Sequence, residues 1–329
     1  MSAQSEPQVK HFEIKDIVFE DGTQLASARL AYLDLNPEAH KTALIITCFR
    51  GRLQSTLNFS NGALQSHRII VVALFGNGES SSPSNTEGFP GSVDYRDCVR
   101  AQRDLLHHLG IQSLDVVLGF SMGGQCTYYW TVMQPEFVAN AIVICSSART
   151  SRHNYQFLEG PKAALVNSLD YMDTTRSPSS PPLRGLGAFG KAYSAWLTSA
   201  EWFEQEEYKS LGYETQKAWD SSMVVTSYYS WGPDDLLAQL GMWQRGDITV
   251  LSGSSSLQAT LAQIKARVLL MPCQTDQYFR WEASQKESSW IQDATLNVIP
   301  SIWGHLAGIG TNPVDMEWMD KTIDDFLKG

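Results

Sequence analysis

Residues 119–124 read Gly119-Phe120-Ser121-Met122-Gly123-Gly124. The run that leads into them, Asp115 to Phe120, is apolar and has the texture of a buried strand. The run that follows, Met122 to Met133, has a helical texture and is closed by Pro135. Gly-x-Ser-x-Gly alone arises by chance, but between a buried strand and a helix it reads as a nucleophile elbow. The serine of such an elbow sits on a sharp turn with strained backbone, so its neighbours at −2 and +2 must be small. Its Oγ is lifted above the sheet at a helix N-terminus, where developing negative charge is favoured. A dinucleotide-binding turn would need a third glycine in Gly-x-Gly-x-x-Gly spacing, which this turn lacks.

The pattern outward from the elbow gives the fold class. Ala43 to Phe49, Ile69 to Phe75 and Ala139 to Cys145 are further apolar runs, suited to parallel strands buried on both faces. His11 to Glu20 and Gln24 to Tyr32 alternate apolar and polar residues and read as antiparallel strands with one solvated face. Tyr95 to Leu109 has helical spacing and ends at Gly110. Strands alternating with helices predict an α/β fold with a mostly parallel, doubly wound sheet. The rhythm stops near residue 150 and resumes after 245. There a strand at Arg267 to Cys273, a helix at Trp281 to Trp290, a strand at Thr295 to Ile299 and a helix at Pro313 to Leu327 follow. The chain therefore divides into a first core part at 1–150, a helical lid inserted at 151–245 and a second core part at 246–329. The insert contains the turn-rich stretch Ser177-Pro178-Ser179-Ser180-Pro181-Pro182. Twelve of the chain's 35 aromatic residues fall within 188–243, about twice the average density. They supply the insert with its own core and with an apolar wall for a pocket.

A serine at its ordinary pKa is a weak nucleophile and needs a base. The chain order at such elbows is Ser, acid, His. Of seven histidines only His153 and His305 follow Ser121. His305 lies just beyond the strand ending at Ile299, on the sheet edge where Ser121 also emerges, whereas His153 opens the insert. Asp276 is the only carboxylate between Lys265 and Glu282. It follows the strand ending at Cys273, and its role is to hold one tautomer of His305 and to stabilise the imidazolium. The tetrahedral oxyanion needs backbone N–H donors, expected from Met122 and from Phe49 in the loop Thr47-Cys48-Phe49-Arg50-Gly51-Arg52. Arg50 and Arg52 are candidates for attracting an acidic group. The alternative is that they are solvated or paired with local acids. His107 and His108 are adjacent on a helix and face different ways, so no metal site is expected there.

Composition bounds the remaining classes. The chain has 329 residues and a net charge of −10, opposite to a generic nucleic-acid binder. Its longest apolar run is about seven residues, against roughly 20 for a bilayer span, and the first ten residues lack the apolar core of a secretory signal. Five widely spaced cysteines, Cys48, Cys98, Cys126, Cys145 and Cys273, form no disulfide framework. They point to a reducing, cytoplasmic setting.

The sequence resembles the homoserine O-acetyltransferase-like branch of the α/β-hydrolase superfamily. The resemblance runs from the third strand to the C-terminus. It rests on Ser121-Met122-Gly123-Gly124 with Trp130, on Ser146-Ser147-Ala148-Arg149, on Gly185-Leu186, on Asp276 with Phe279, and on Gly304-His305. It implies Ser121, Asp276 and His305 as a catalytic triad and a helical lid that also makes a homodimer contact. True homoserine acetyltransferases carry an aspartate directly after the histidine for the substrate amine, and Leu306 stands there in this chain. They carry a lid arginine for the substrate carboxylate, and the stretch Gly187 to Tyr193 has none, with Arg184 and Lys191 off register. An ammonium beside leucine would be unpaired. The expected function is thus a serine hydrolase acting on an ester, thioester or related acyl bond of a small, fairly apolar metabolite, with Arg50, Arg52, Tyr193 and Leu306 as substrate contacts. The alternatives are an O-acyltransferase using acyl-CoA as co-substrate with a non-homoserine acceptor, and a non-hydrolytic cyclase or binding protein. No other cofactor is expected.

Overall fold

A computed structural model describes residues 7–177 and 180–329. Pro178 and Ser179 of the Ser/Pro stretch lie outside the described residues. The strands are β1 (Lys10–Val18), β2 (Gln24–Leu35), β3 (Lys41–Ile46), β4 (His67–Val72), β5 (Leu114–Phe120), β6 (Val138–Ile144), β7 (Arg267–Met271) and β8 (Ala294–Leu296). They form one sheet in the order β1-β2-β4-β3-β5-β6-β7-β8. β1 pairs antiparallel with β2, and β2 antiparallel with β4. Every other neighbour is parallel.

The continuous apolar runs occupy the middle of this sheet, as two-sided burial requires. Their alternate residues serve opposite faces. Leu44, Ile46, Ile70, Val72 and Val117 join one buried cluster, with helices α1 (Tyr95–His108) and α2 (Met122–Met133) packed over it. Ala43, Ile45, Ile69, Val71 and Val116 join a second cluster on the other face, closed by the C-terminal helix Pro313–Lys328. α1 starts at an Asp94 N-cap whose carboxylate accepts from the Arg96 amide, with Asp97 completing a capping box.

Several strands end earlier than the apolar runs do. β3 stops at Ile46, β4 at Val72 and β7 at Met271, and the three residues after β3 turn into a loop. β8 covers three residues, with one further bridge from Ile299 to Cys273. Hydrophobicity alone does not mark these ends, because the loops over the sheet edge are themselves buried: Ala73, Leu74, Phe75 and Cys273 have no exposed surface.

Between β6 and β7 the chain runs through α3 (Arg152–Val166), α4 (Leu183–Ser194) and α5 (Pro233–Arg245), with short helical turns between them. One of these, Asp220–Val225, has π-helical hydrogen bonding. α5 is tied to the loop after β4 by Asp235, which accepts from the Ser84 amide at 2.9 Å and the Ser84 hydroxyl at 2.6 Å. After β7 come α6 (Trp281–Ser288), β8 and α7 (Pro313–Lys328).

One buried acid joins three of these pieces. Glu287 of α6 accepts from the Tyr128 hydroxyl of α2 at 2.6 Å and from the Ala148 amide after β6 at 2.9 Å. Burial pushes its carboxyl up to about 7, from an ordinary 4.5. The folded chain then holds this proton more tightly than the unfolded chain, so stability is lost as pH rises from about 4.5 through 7, by up to roughly 3 kcal/mol. Glu287→Gln keeps an oxygen for Ala148 and offers an N–H to the Tyr128 oxygen. In thermal unfolding at pH 5 and pH 8, the Tm of the variant should gain on wild type at the higher pH. A gap that stays constant between the two would refute the account.

Candidate active site

Ser121 stands between β5 and α2 with φ 56° and ψ −121°. A positive φ at a non-glycine residue costs on the order of 1–3 kcal/mol, and the surroundings hold it there. The Ser121 amide donates to Ile144 O at 3.0 Å, and its carbonyl accepts from the Gln125 amide at 3.0 Å and from the Ser146 hydroxyl at 2.6 Å. The neighbouring glycines are there because nothing larger fits. A methyl group on Gly119 would lie 2.1 Å from the Gly123 carbonyl. On Gly123 it would lie 2.4 Å from Ile46 O, and on Gly124 2.5 Å from the Ser146 side chain.

The other two groups arrive from the ends of β7 and β8. Asp276 follows β7, and its Oδ1 accepts from the amides of Tyr278 at 2.8 Å and Phe279 at 3.1 Å. Its Oδ2 lies 2.7 Å from His305 Nδ1. His305 Nε2 lies 2.9 Å from Ser121 Oγ. All three side chains are buried. With Asp276 accepting at Nδ1, the neutral imidazole carries its proton there and presents Nε2 as an acceptor to the serine. His305 sits among three aromatic rings, Phe120 at 4.5 Å, Tyr278 at 4.9 Å and Phe279 at 5.7 Å between centroids. The early end of β3 leaves the Phe49 amide free, and Met122 opens α2. Among the described residues neither amide has an acceptor, so both are available to an oxyanion.

A cavity of about 450 Å³ lies over Ser121. Phe49, Arg50, Tyr193 and Leu306 line it, as does the stretch Trp219–Tyr228 of the insert in part. Phe49 packs in an aromatic group with Phe189, Tyr193 and Trp243, at 5.5–6.2 Å between ring centroids. Arg52 does not line the cavity. It stacks on Trp231 at 3.8 Å, donates to the Asn77 carbonyl, and feels the carboxylates of Glu79 and Asp235. Of the two arginines, local acids have drawn this one away. Lys191 is likewise committed, to Asp220. His153 does not line the cavity, and its ring packs against Trp196 at 5.2 Å.

Among the described residues, Cys145, Asp276 and His305 form the one group spaced as metal ligands. Two of its members already spend their facing atoms on each other. Sequence reading missed the part of Ser146, whose hydroxyl props the elbow carbonyl, although the Ser146-Ser147 pair stood out in the motif. It also missed Gln239, whose Oε1 accepts from the Arg50 amide at 3.3 Å. No local signal marks that contact, because the two residues are 189 apart in the chain.

The α/β-hydrolase fold family matches residues 45–309, and the chain belongs to that family. An ethyl acetate hydrolase of Pseudomonas veronii is 34% identical over 265 residues, covering 79% of this chain and 76% of its own. The solved structure of the acetyl esterase MekB shares 30% identity and a TM-score of 0.92, over 98% of both chains. A homoserine O-acetyltransferase of Haemophilus influenzae is 27% identical over 279 residues, covering 77% of this chain and 72% of its own.

The packing of the elbow can be tested directly. Gly123→Ala puts its methyl against the backbone of β3 and should cost roughly 3 kcal/mol, with ester hydrolysis falling further than stability explains. Gly160→Ala in α3 meets nothing within 4 Å and should be neutral or stabilising by up to about 1 kcal/mol. Chemical denaturation of both variants checks the contrast. Equal effects would mean that the crowding at Gly123 is not a constraint.

Proposed function

We propose that the protein is a serine esterase that hydrolyses acetyl esters of small alcohols through an acyl-enzyme on Ser121. The observation that carries this reading is the hydrogen-bonded line Asp276–His305–Ser121, at 2.7 and 2.9 Å, beneath an apolar cavity. The relatives named ethyl acetate hydrolase and acetyl esterase support the choice of ester.

In this mechanism Ser121 Oγ attacks the ester carbonyl carbon as its proton passes to His305 Nε2. The tetrahedral oxyanion takes the Phe49 and Met122 amides, near the positive end of α2. Asp276 stays ionised and stabilises the imidazolium, whose ring is also shielded by Phe120, Tyr278 and Phe279. His305 then protonates the leaving alcohol. In the second half, His305 takes a proton from water, hydroxide attacks the acetyl carbon, and acetate leaves as Ser121 recovers its proton. Nucleophile, base and oxyanion donors all come from the chain, and the reaction calls for no cofactor. The insert at 151–245 acts in this reading as a lid over the cavity. Its exposed Leu169, Met172 and Leu183 are the surface on which the homodimer would rest. Five free cysteines accord with a cytoplasmic setting. Among the described residues no helix is long and apolar enough to cross a membrane.

The second reading is transfer of the acyl group from acyl-CoA to an alcohol, favoured by the homoserine O-acetyltransferase relatives. It shares the first half-reaction. Against homoserine as acceptor stand Leu306 beside His305 and the engagement of Lys191 with Asp220. A pure binding role or a cyclase leaves the aligned serine and histidine without a use.

Brief exposure to 4-nitrophenyl acetate should add one acetyl group to the intact mass of wild type and none to Ser121→Ala. Asp276→Asn should fold normally and lose about 10³- to 10⁴-fold in kcat, because the wrong tautomer is held. Leu306→Asp brings a carboxylate into the apolar wall and should lower kcat/KM for ethyl acetate at least about tenfold. A wild type that neither carries the acetyl group nor releases 4-nitrophenol faster than Ser121→Ala, or acetyl transfer from acetyl-CoA without ester hydrolysis, would overturn the esterase reading.

A further inference from the structure

The cavity over Ser121 contains one feature that an apolar ester leaves unused. Among its described lining residues there is no carboxylate and no lysine, yet Arg50 is there. A half-buried guanidinium is ordinarily neutralised by an acid. Arg52, two residues on, shows that ordinary case, beside Glu79 and Asp235. Arg50 is held instead by neutral groups. Its Nη2 donates to the Ser227 carbonyl at 3.2 Å and the Ser227 hydroxyl at 3.1 Å, and its guanidinium lies 3.7 Å over the Tyr228 ring. Nε is buried without a partner. The side chain is therefore fixed in position while its charge and part of its donor set remain unspent.

Its place in the chain is also informative. Arg50 has φ 57° and directly follows Phe49, whose amide faces the proposed oxyanion. The strained backbone turns the guanidinium along the same cavity wall, and the Arg50 amide is anchored on Gln239 of α5. An acetyl group occupies little of a cavity of about 450 Å³, so the alcohol portion of the ester must fill the rest and meet Arg50. Leu306 denies a partner to an ammonium at the other side of His305.

We propose that Arg50 is an anion subsite for the alcohol portion of the ester, and that the preferred substrates are acetyl esters of hydroxy acids that carry a carboxylate and no amine. This rests on the esterase reading above and specifies its substrate class. The reaction remains a hydrolysis: water and the ester anion give acetate, the hydroxy-acid anion and one proton released to solvent. The carboxylate stays ionised on Arg50 throughout and takes no part in bond breaking, so the contact acts on binding.

The test compares three substrates, 4-acetoxybutanoate, its neutral isostere 4-acetoxybutanamide, and pentyl acetate, with wild type and Arg50→Met. In wild type kcat/KM for the carboxylate should exceed that for the amide by about tenfold or more, as charge-assisted hydrogen bonds allow. The difference should lie in KM. In Arg50→Met the ratio should fall to one or below. A ratio near one in wild type, or an unchanged ratio in the variant, overturns the proposal. Should the variant not fold, product inhibition of wild type decides. 4-Hydroxybutanoate should inhibit pentyl acetate hydrolysis at least about fivefold more tightly than 4-hydroxybutanamide, and equal inhibition overturns the subsite. Failure of the underlying reading looks different, because then none of the three esters is hydrolysed. Hydrolysis of pentyl acetate without acid preference removes the subsite and leaves the esterase.

Discussion

The close approach of α2 to β3 is the constraint on which the rest of the structure depends. Gly123 allows the helix to sit against the Ile46 carbonyl, and Gly119 and Gly124 clear the turn itself. Only with the helix that deep can Ser121 hold its positive φ and raise Oγ above the sheet. The strain is not relieved locally. It is resisted by Ile144 on one side and by the Ser146 hydroxyl on the other, so the strand after Ser121 helps to hold Ser121. Glu287 braces the same region from below by joining α2, the loop after β6 and α6. A buried acid is an expensive brace, and its use there fits a place where three chain segments must keep a fixed spacing.

The parallel sheet does the remaining positioning. Ser121, Asp276 and His305 follow β5, β7 and β8, and parallel strands bring their C-terminal ends to one edge. Asp276 is then fixed by two backbone amides and His305 by three rings, so the imidazole has little freedom besides the line between acid and serine. The aromatic surroundings lower the local polarity, which strengthens the interaction of Asp276 with an imidazolium when one forms.

The meeting of Ser121, Asp276 and His305 was legible in the sequence because each follows an apolar strand and each has few competitors. Asp276 had no rival between Lys265 and Glu282, and His305 had one rival, His153. The doubly wound sheet was legible for the same reason, since runs such as Ile69 to Phe75 admit few other readings. Strand ends were not legible, because buried loops are as apolar as the strands they leave. That mattered at β3, where stopping at Ile46 is what frees the Phe49 amide. The fates of Arg50 and Arg52 were not legible either. They share a loop and a charge, and the difference lies in Glu79, Asp235 and Ser227, brought near by folding from elsewhere in the chain. The Glu287–Tyr128 bond spans 159 residues and leaves no local trace.

One scaffold can pass an acyl group to water or to an alcohol. Both outcomes use the same acyl-enzyme, so the triad cannot distinguish them. The choice falls to groups that hold the acceptor within about an ångström of the acyl carbon. In this chain the position after His305 is leucine, and no carboxylate is among the described residues lining the cavity, so the wall offers an amino-acid acceptor nothing on which to pair its ammonium. Water needs no such partner. It requires only room beside His305 Nε2 once the alcohol has gone, and a cavity larger than an acetyl group leaves that room. The absence of a partner for the acceptor's ammonium is therefore itself a physical reason for hydrolysis to prevail over transfer to an amino acid.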